Sequence, residues 1–171
     1  MKTLRLYSSI LGLAAAGVLN AADNPAPRTV VVFDHPDNFT DVKDSYIPTE
    51  KGRDAILKTL RDFLVDRTES RIPNGYQLTI TFTEINLAGK FEPWHNPPYD
   101  IRYLRPVYPP HFKFTYSVTD PSGKVVKSGS EDILDANYQM RVVIDYSDPL
   151  RYEKDILAEW ARATLKGLPK P

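Results

Sequence analysis

The 171-residue chain contains no cysteine. That excludes disulfides, a thiolate nucleophile, paired-cysteine redox or zinc motifs, and a lipid-modified N-terminal cysteine. An excess of either charge is also missing. The 22 lysines and arginines balance 22 aspartates and glutamates, so no strong field draws the chain to nucleic acid or to an anionic membrane. There is no HExxH, no GxSxG elbow and no glycine-rich phosphate loop. The three histidines, His35, His95 and His111, match no ligand spacing, so neither a metal nor a cofactor is expected. No repeat of solenoid period is visible.

What is present begins with a leader. Lys2 and Arg5 precede an uncharged apolar run over residues 6–19, and small residues follow at Ala21 and Ala22. The run is short for a bilayer span, which favours a cleaved signal peptide over residues 1–21 rather than an anchor. Residues 22–28 read as a linker and 29–168 as one domain. Losing Lys2 and Arg5 leaves the mature chain slightly acidic. The expectation is export to the periplasm, or beyond it, with no stable membrane insertion once the leader is gone.

The domain reads as strand, helix, strand, hairpin, helix. Thr29-Val30-Val31-Val32-Phe33 is a buried strand that ends at Asp34-His35-Pro36, where proline cannot extend a ladder. Thr49 caps a helix whose apolar stripe is Ala55, Ile56, Leu60, Phe63 and Leu64. Leu78, Ile80 and Phe82 share one face of the next strand, but Ile85 and Leu87 fall on the other phase, which predicts a bulge near Glu84. Phe112, Phe114, Tyr116 and Val118 alternate with polar residues up to the turn Asp120-Pro121-Ser122-Gly123, and Lys124-Val125-Val126-Lys127 returns as the partner strand. Residues 130–134 continue it, and residues 141–145 suggest a further extended piece. Asp148 as cap and Pro149 at the first helical position start a last helix, striped with Leu150, Ile156, Leu157, Trp160, Ala161, Thr164 and Leu165. The fold class is therefore α+β: a mostly antiparallel sheet of about four to five strands with two helices packed on one face.

Residues 91–110 differ from everything around them. They hold six prolines and five aromatics, Phe91, Trp94, Tyr99, Tyr103 and Tyr108. That proline density excludes a regular helix or a central strand, although a short edge strand within 100–104 remains open. Trp94, Tyr99, Tyr103 and Tyr108, with Arg102 and Arg105, offer stiff amphipathic contact area suited to an envelope protein or a glycan. The same rings would serve equally as a lid folded over the sheet. Carboxylates at Glu131, Asp132 and Asp135 raise a second possibility, a hydrolase using two acids on an envelope polymer.

Phe39-Thr40-Asp41-Val42, Asn86-Leu87-Ala88-Gly89, residues 102–110, Gly123-Lys124-Val125, and Leu150-Arg151-Tyr152-Glu153-Lys154 with Trp160 form an ordered series. Taken together, these stretches resemble the bacterial domain of unknown function family 3016. The resemblance implies an exported, periplasmic protein of Gram-negative bacteria and brings no activity with it. It points to Asp41, Arg102, Asp135, Glu153 and Trp160 as positions that the fold or a cleft needs. Arg102 would pair with Asp41 or Glu153 to lock the loop to the body, or these residues would line a cleft. The overall expectation is a binding module without catalysis, with the hydrolase as its alternative.

Overall fold

The computed structural model describes residues 27–94 and 100–168. The leader, His95 and Tyr99 lie outside the described residues. Six strands and two helices follow in order: β1 (Thr29–Phe33), α1 (Glu50–Glu69), β2 (Gln77–Asn86), β3 (Lys90–Phe91), β4 (Arg102–Tyr103), β5 (His111–Thr119), β6 (Val125–Leu134) and α2 (Arg151–Thr164). The main sheet runs β1-β2-β5-β6, and β3 pairs with β4 in a small second sheet. β1 lies parallel to β2 because α1 carries the chain back between them. The β2–β5 and β5–β6 pairings are antiparallel, so the sheet is mixed but mostly antiparallel.

One face of that sheet carries the core. Leu78, Ile80 and Phe82 of β2 and Phe112, Phe114 and Val118 of β5 are essentially inaccessible, and both helices lay their apolar stripes on them. Trp160 of α2 meets Phe114 edge-on at 4.8 Å and Tyr116 at 5.5 Å, while its indole N–H donates to Glu131 Oε1 at 3.1 Å. The opposite face shows Thr83, Lys113 and Thr115 to solvent.

The expected bulge is present: between Phe82 and Glu84 the register against β5 slips by one residue, leaving Thr83 over. Ile85 therefore returns to the buried side. The hairpin turn closes as its residues predict. Asp120 Oδ1 accepts from the Ser122 and Lys124 amides, and Gly123 takes φ +81°. Thr49 caps α1 by accepting from the Gly52 amide at 2.9 Å.

Four local expectations are corrected. β1 is not buried throughout. It is an edge strand with only one face on the core, so Val30 and Val32 are exposed. The inward stripe of α1 is Leu57, Leu60, Leu64 and Thr68, with Ile56 and Phe63 half-buried, whereas Ala55 is exposed. Helix α2 begins at Arg151, two residues beyond Pro149; Asp148 instead closes a turn by accepting from the Leu150 amide at 2.8 Å. Residues 141–145 form no strand. They follow a 3-10 turn (Tyr138–Met140) and run in the open, with Val142 and Ile144 exposed and only Val143 buried.

Candidate functional site

Four stretches distant in sequence meet at one cavity of about 460 Å³. Lys43 and Asp44 come from the loop before α1, and Gly52, Ala55, Ile56 and Thr59 from the start of that helix. Leu87, Phe91, Asp100 and Arg102 come from the β2–β4 region, and Asp148, Pro149, Leu150 and Glu153 from the entrance of α2. The size and the largely apolar wall with a few polar groups suit a small molecule.

Glu153 is the unusual member. Its position in the first turn of α2 turns the side chain inward, and it is only 1% exposed. Oε1 accepts from the Ala88 amide at 2.7 Å, but Oε2 has no hydrogen-bond partner among the described residues. Burial pushes the carboxyl above its ordinary value. The Ala88 amide and the charge on Arg102 pull the other way without overcoming it.

Arg102 stands on β4 and reaches across to the chain before α1. Its two terminal nitrogens meet Asp41 at 3.0 and 3.3 Å, the Gly89 carbonyl at 3.0 Å and the Lys43 carbonyl at 2.9 Å. The guanidinium also lies over the Phe91 ring at 4.7 Å. Asp41 is 5% exposed and is itself held to the end of β2, where its carbonyl accepts from the Leu87 amide. Of the two pairings open to Arg102 in the sequence, the hydrogen bonds therefore go to Asp41. The pair ties three segments together and leaves Arg102 as one wall of the cavity.

Gly52 supplies a further wall. A side-chain carbon there would fall 2.1 Å from Asp44 Oδ1, so the Asp44 carboxylate lies directly against the first turn of α1. Glycine inside a helix is costly, and here it is what makes room for that carboxylate.

A family model described as "Protein of unknown function (DUF3016)" matches residues 28–163. The chain belongs to this family. No curated protein and no solved structure matches it. In this DUF3016 member the matched span takes in the whole main sheet and every wall of the cavity.

The remaining predicted residues fall into separate places. Arg105 and Tyr108 converge on Glu92, which is 3% exposed: Arg105 donates to it at 2.8 Å and the Tyr108 hydroxyl at 2.9 Å. That hydrogen bond, reinforced by burial, raises the Tyr108 pKa. Tyr103 is half-buried with the Arg105 guanidinium 5.7 Å above its ring. Asp135 is held by Arg141 at 2.5 Å; that arginine also reaches Asp155 and Glu159 on α2, away from the cavity. Trp94 is 68% exposed. Arg102 and Glu153 are thus brought to one site, while Arg105, Tyr108 and Asp135 hold the chain together elsewhere.

Sequence reasoning missed Lys43, Asp44, Gly52, Asp100 and Asp148 as cavity residues. Only Gly52 carried a usable signal, a glycine one turn after a helix cap where nothing local requires it. Among the described residues no group of three or more histidine, aspartate or glutamate side chains could hold a metal ion. No described helix is long and apolar enough to cross a membrane.

Proposed function

We propose that the protein is an exported, periplasmic binding protein that takes a small molecule into the cavity between α1, α2 and the β2–β4 region, without chemistry of its own. The observation that carries this reading is a cavity of about 460 Å³ with apolar walls and one buried carboxyl oxygen that lacks a partner. A buried polar atom left unpaired costs stability, and ligand sites are where that cost is offset. The leader expected over residues 1–21 supports export, and a small molecule in the cavity replaces the envelope protein or glycan expected at the aromatic segment. Trp94, largely exposed three residues after the cavity residue Phe91, is the aromatic side chain proposed to meet any part of that molecule that lies outside.

Two-carboxylate hydrolysis fits less well. Asp148 is engaged by Lys154 at 2.6 Å and by the Leu150 amide, and Asp100 accepts from the Tyr46 amide at 3.2 Å. Asp44 also lines the cavity, seated against Gly52, but the acids that the sequence put forward for this chemistry, Glu131, Asp132 and Asp135, do not.

The test has two arms. The intact mass of protein recovered from the periplasm should correspond to a chain starting near Ala22. Amide NMR spectra of the purified protein, titrated with small apolar fragments, should show shifts at Ala88, Leu150 and Gly52. Those shifts should vanish in Ala55→Trp, which fills the cavity from an exposed position. Shifts confined to other surfaces would refute the binding reading.

A further inference from the structure

Once the pairs around the cavity are taken into account, its charge is one-sided. Arg102 is neutralised by Asp41, and all four N–H groups of its terminal nitrogens are occupied. Asp148 is neutralised by Lys154. What remains along the wall is a single base, Lys43, against the acids Asp44, Asp100 and Glu153. Asp44 is placed there by the missing side chain of Gly52, and Glu153 offers an unpartnered oxygen, 1% exposed, at the same cavity.

An anionic ligand would meet this acidic wall and gain nothing from the blocked Arg102. A neutral ligand would gain one hydrogen bond at Glu153 but leave the surplus negative charge uncompensated. An ammonium group supplies both donors and charge, and Ile56, Leu87, Phe91 and Leu150 accept a hydrophobic body behind it. We propose that the cavity takes a small organic cation, a protonated amine on an apolar body, with its nitrogen turned toward Glu153. This rests on the cavity being the binding site, as proposed above. Desolvation raises the Glu153 pKa and a cation beside it lowers it again, so amine binding strengthens as pH rises through the range in which Glu153 ionises. The other charged or titratable groups that bear on Glu153 are Arg102, Asp148 and the Tyr138 hydroxyl, and none of them supplies the missing partner.

Three probes with one body decide the matter: 2-phenylethylamine, 2-phenylethanol and phenylacetate, each titrated calorimetrically into the purified protein and followed by amide NMR. The amine should bind about tenfold or more tighter than the alcohol, and phenylacetate more weakly than either. Repeating the amine titration between about pH 4 and 8 should show affinity rising with pH, a dependence that Glu153→Gln lacks. Glu153→Gln should erase most of the preference for the amine. Gly52→Ala, which displaces Asp44 from the wall, should weaken the amine by a larger factor than the alcohol. If the alcohol or phenylacetate binds as tightly as the amine, still shifting Ala88 and Leu150, the ligand class is wrong and the binding site stands. If no probe shifts the cavity amides, both proposals fall.

Discussion

The described residues bury apolar surface in two places, and these are built differently. The main core lies between one face of the sheet and the two helices and consists almost wholly of aliphatic and aromatic side chains. The second cluster is small, comprising Ala88, Tyr138, Val143 and Tyr152 with Leu104 against it. Around it the chain is held by polar links: Tyr138 donates to the Arg105 carbonyl, Gln139 to the Leu104 carbonyl, and Arg102 to Asp41. Hydrophobic burial is proportional to area and tolerant of detail, whereas a hydrogen-bonded seam works only when every partner is in place. The sheet side is thus built for stability. The seam side holds a proline-rich segment against the body and leaves a cavity beside it.

Removing parts of each region should expose that contrast. Trp160→Ala empties the centre of the main core, and chemical unfolding should show a loss of about 3–5 kcal/mol. Arg102→Leu breaks the buried pair and leaves Asp41 charged without a partner, for a loss of about 3 kcal/mol measured the same way. Hydrogen exchange should then show opening confined to β3 and β4, which Trp160→Ala should not produce selectively. Tyr138→Phe keeps the ring packed edge-on against Tyr152 and deletes the hydroxyl that donates to the Arg105 carbonyl, so about 1 kcal/mol is expected.

Glu153→Gln should act with the opposite sign and depend on pH. The folded carboxyl keeps its proton to higher pH than the unfolded chain does, so the native state binds more protons in that window. Wild-type stability therefore falls as pH rises from about 4.3 through the raised folded value, and glutamine, which cannot ionise, escapes that loss. Thermal midpoints measured across this range should diverge in favour of the variant as pH increases. A constant difference would place Glu153 in a more polar setting than its burial indicates. The smallest effect belongs to Trp94→Ala. With its side chain largely exposed, the variant should unfold within about 0.5 kcal/mol of wild type and reveal itself only through weaker ligand capture.

Much of the fold was legible in the residues because local rules govern it. The alternation through Phe112, Phe114, Tyr116 and Val118 specified a half-buried strand, and the phase change at Ile85 specified a bulge. Asp120 and Gly123 specified the turn. Errors arose where neighbours overrode a local preference. Residues 141–145 have strand chemistry, yet they pair with neither edge of the sheet, and Arg141 is drawn to Asp135 and α2 instead. Val30 and Val32 look like core residues, but β1 lies at the sheet edge with one side open.

The candidate site divides along the same line. Asp41, Arg102 and Glu153 were pointed out by the family resemblance, since in their own polar stretches nothing local marks Asp41 or Glu153. Which of them pair, and which oxygen stays unpaired, depends on the meeting of the loop before α1, the β2–β4 region and the entrance of α2. Periodicity reports which side of an element is buried, since each residue carries that signal in its own spacing. A cavity is the space left where several elements fail to fill a volume, and no single stretch of chain encodes it. The element order and core residues could thus be read from the linear chain. The Asp41–Arg102 pair, the seat of Asp44 on Gly52 and the unpartnered oxygen of Glu153 arise only from long-range packing.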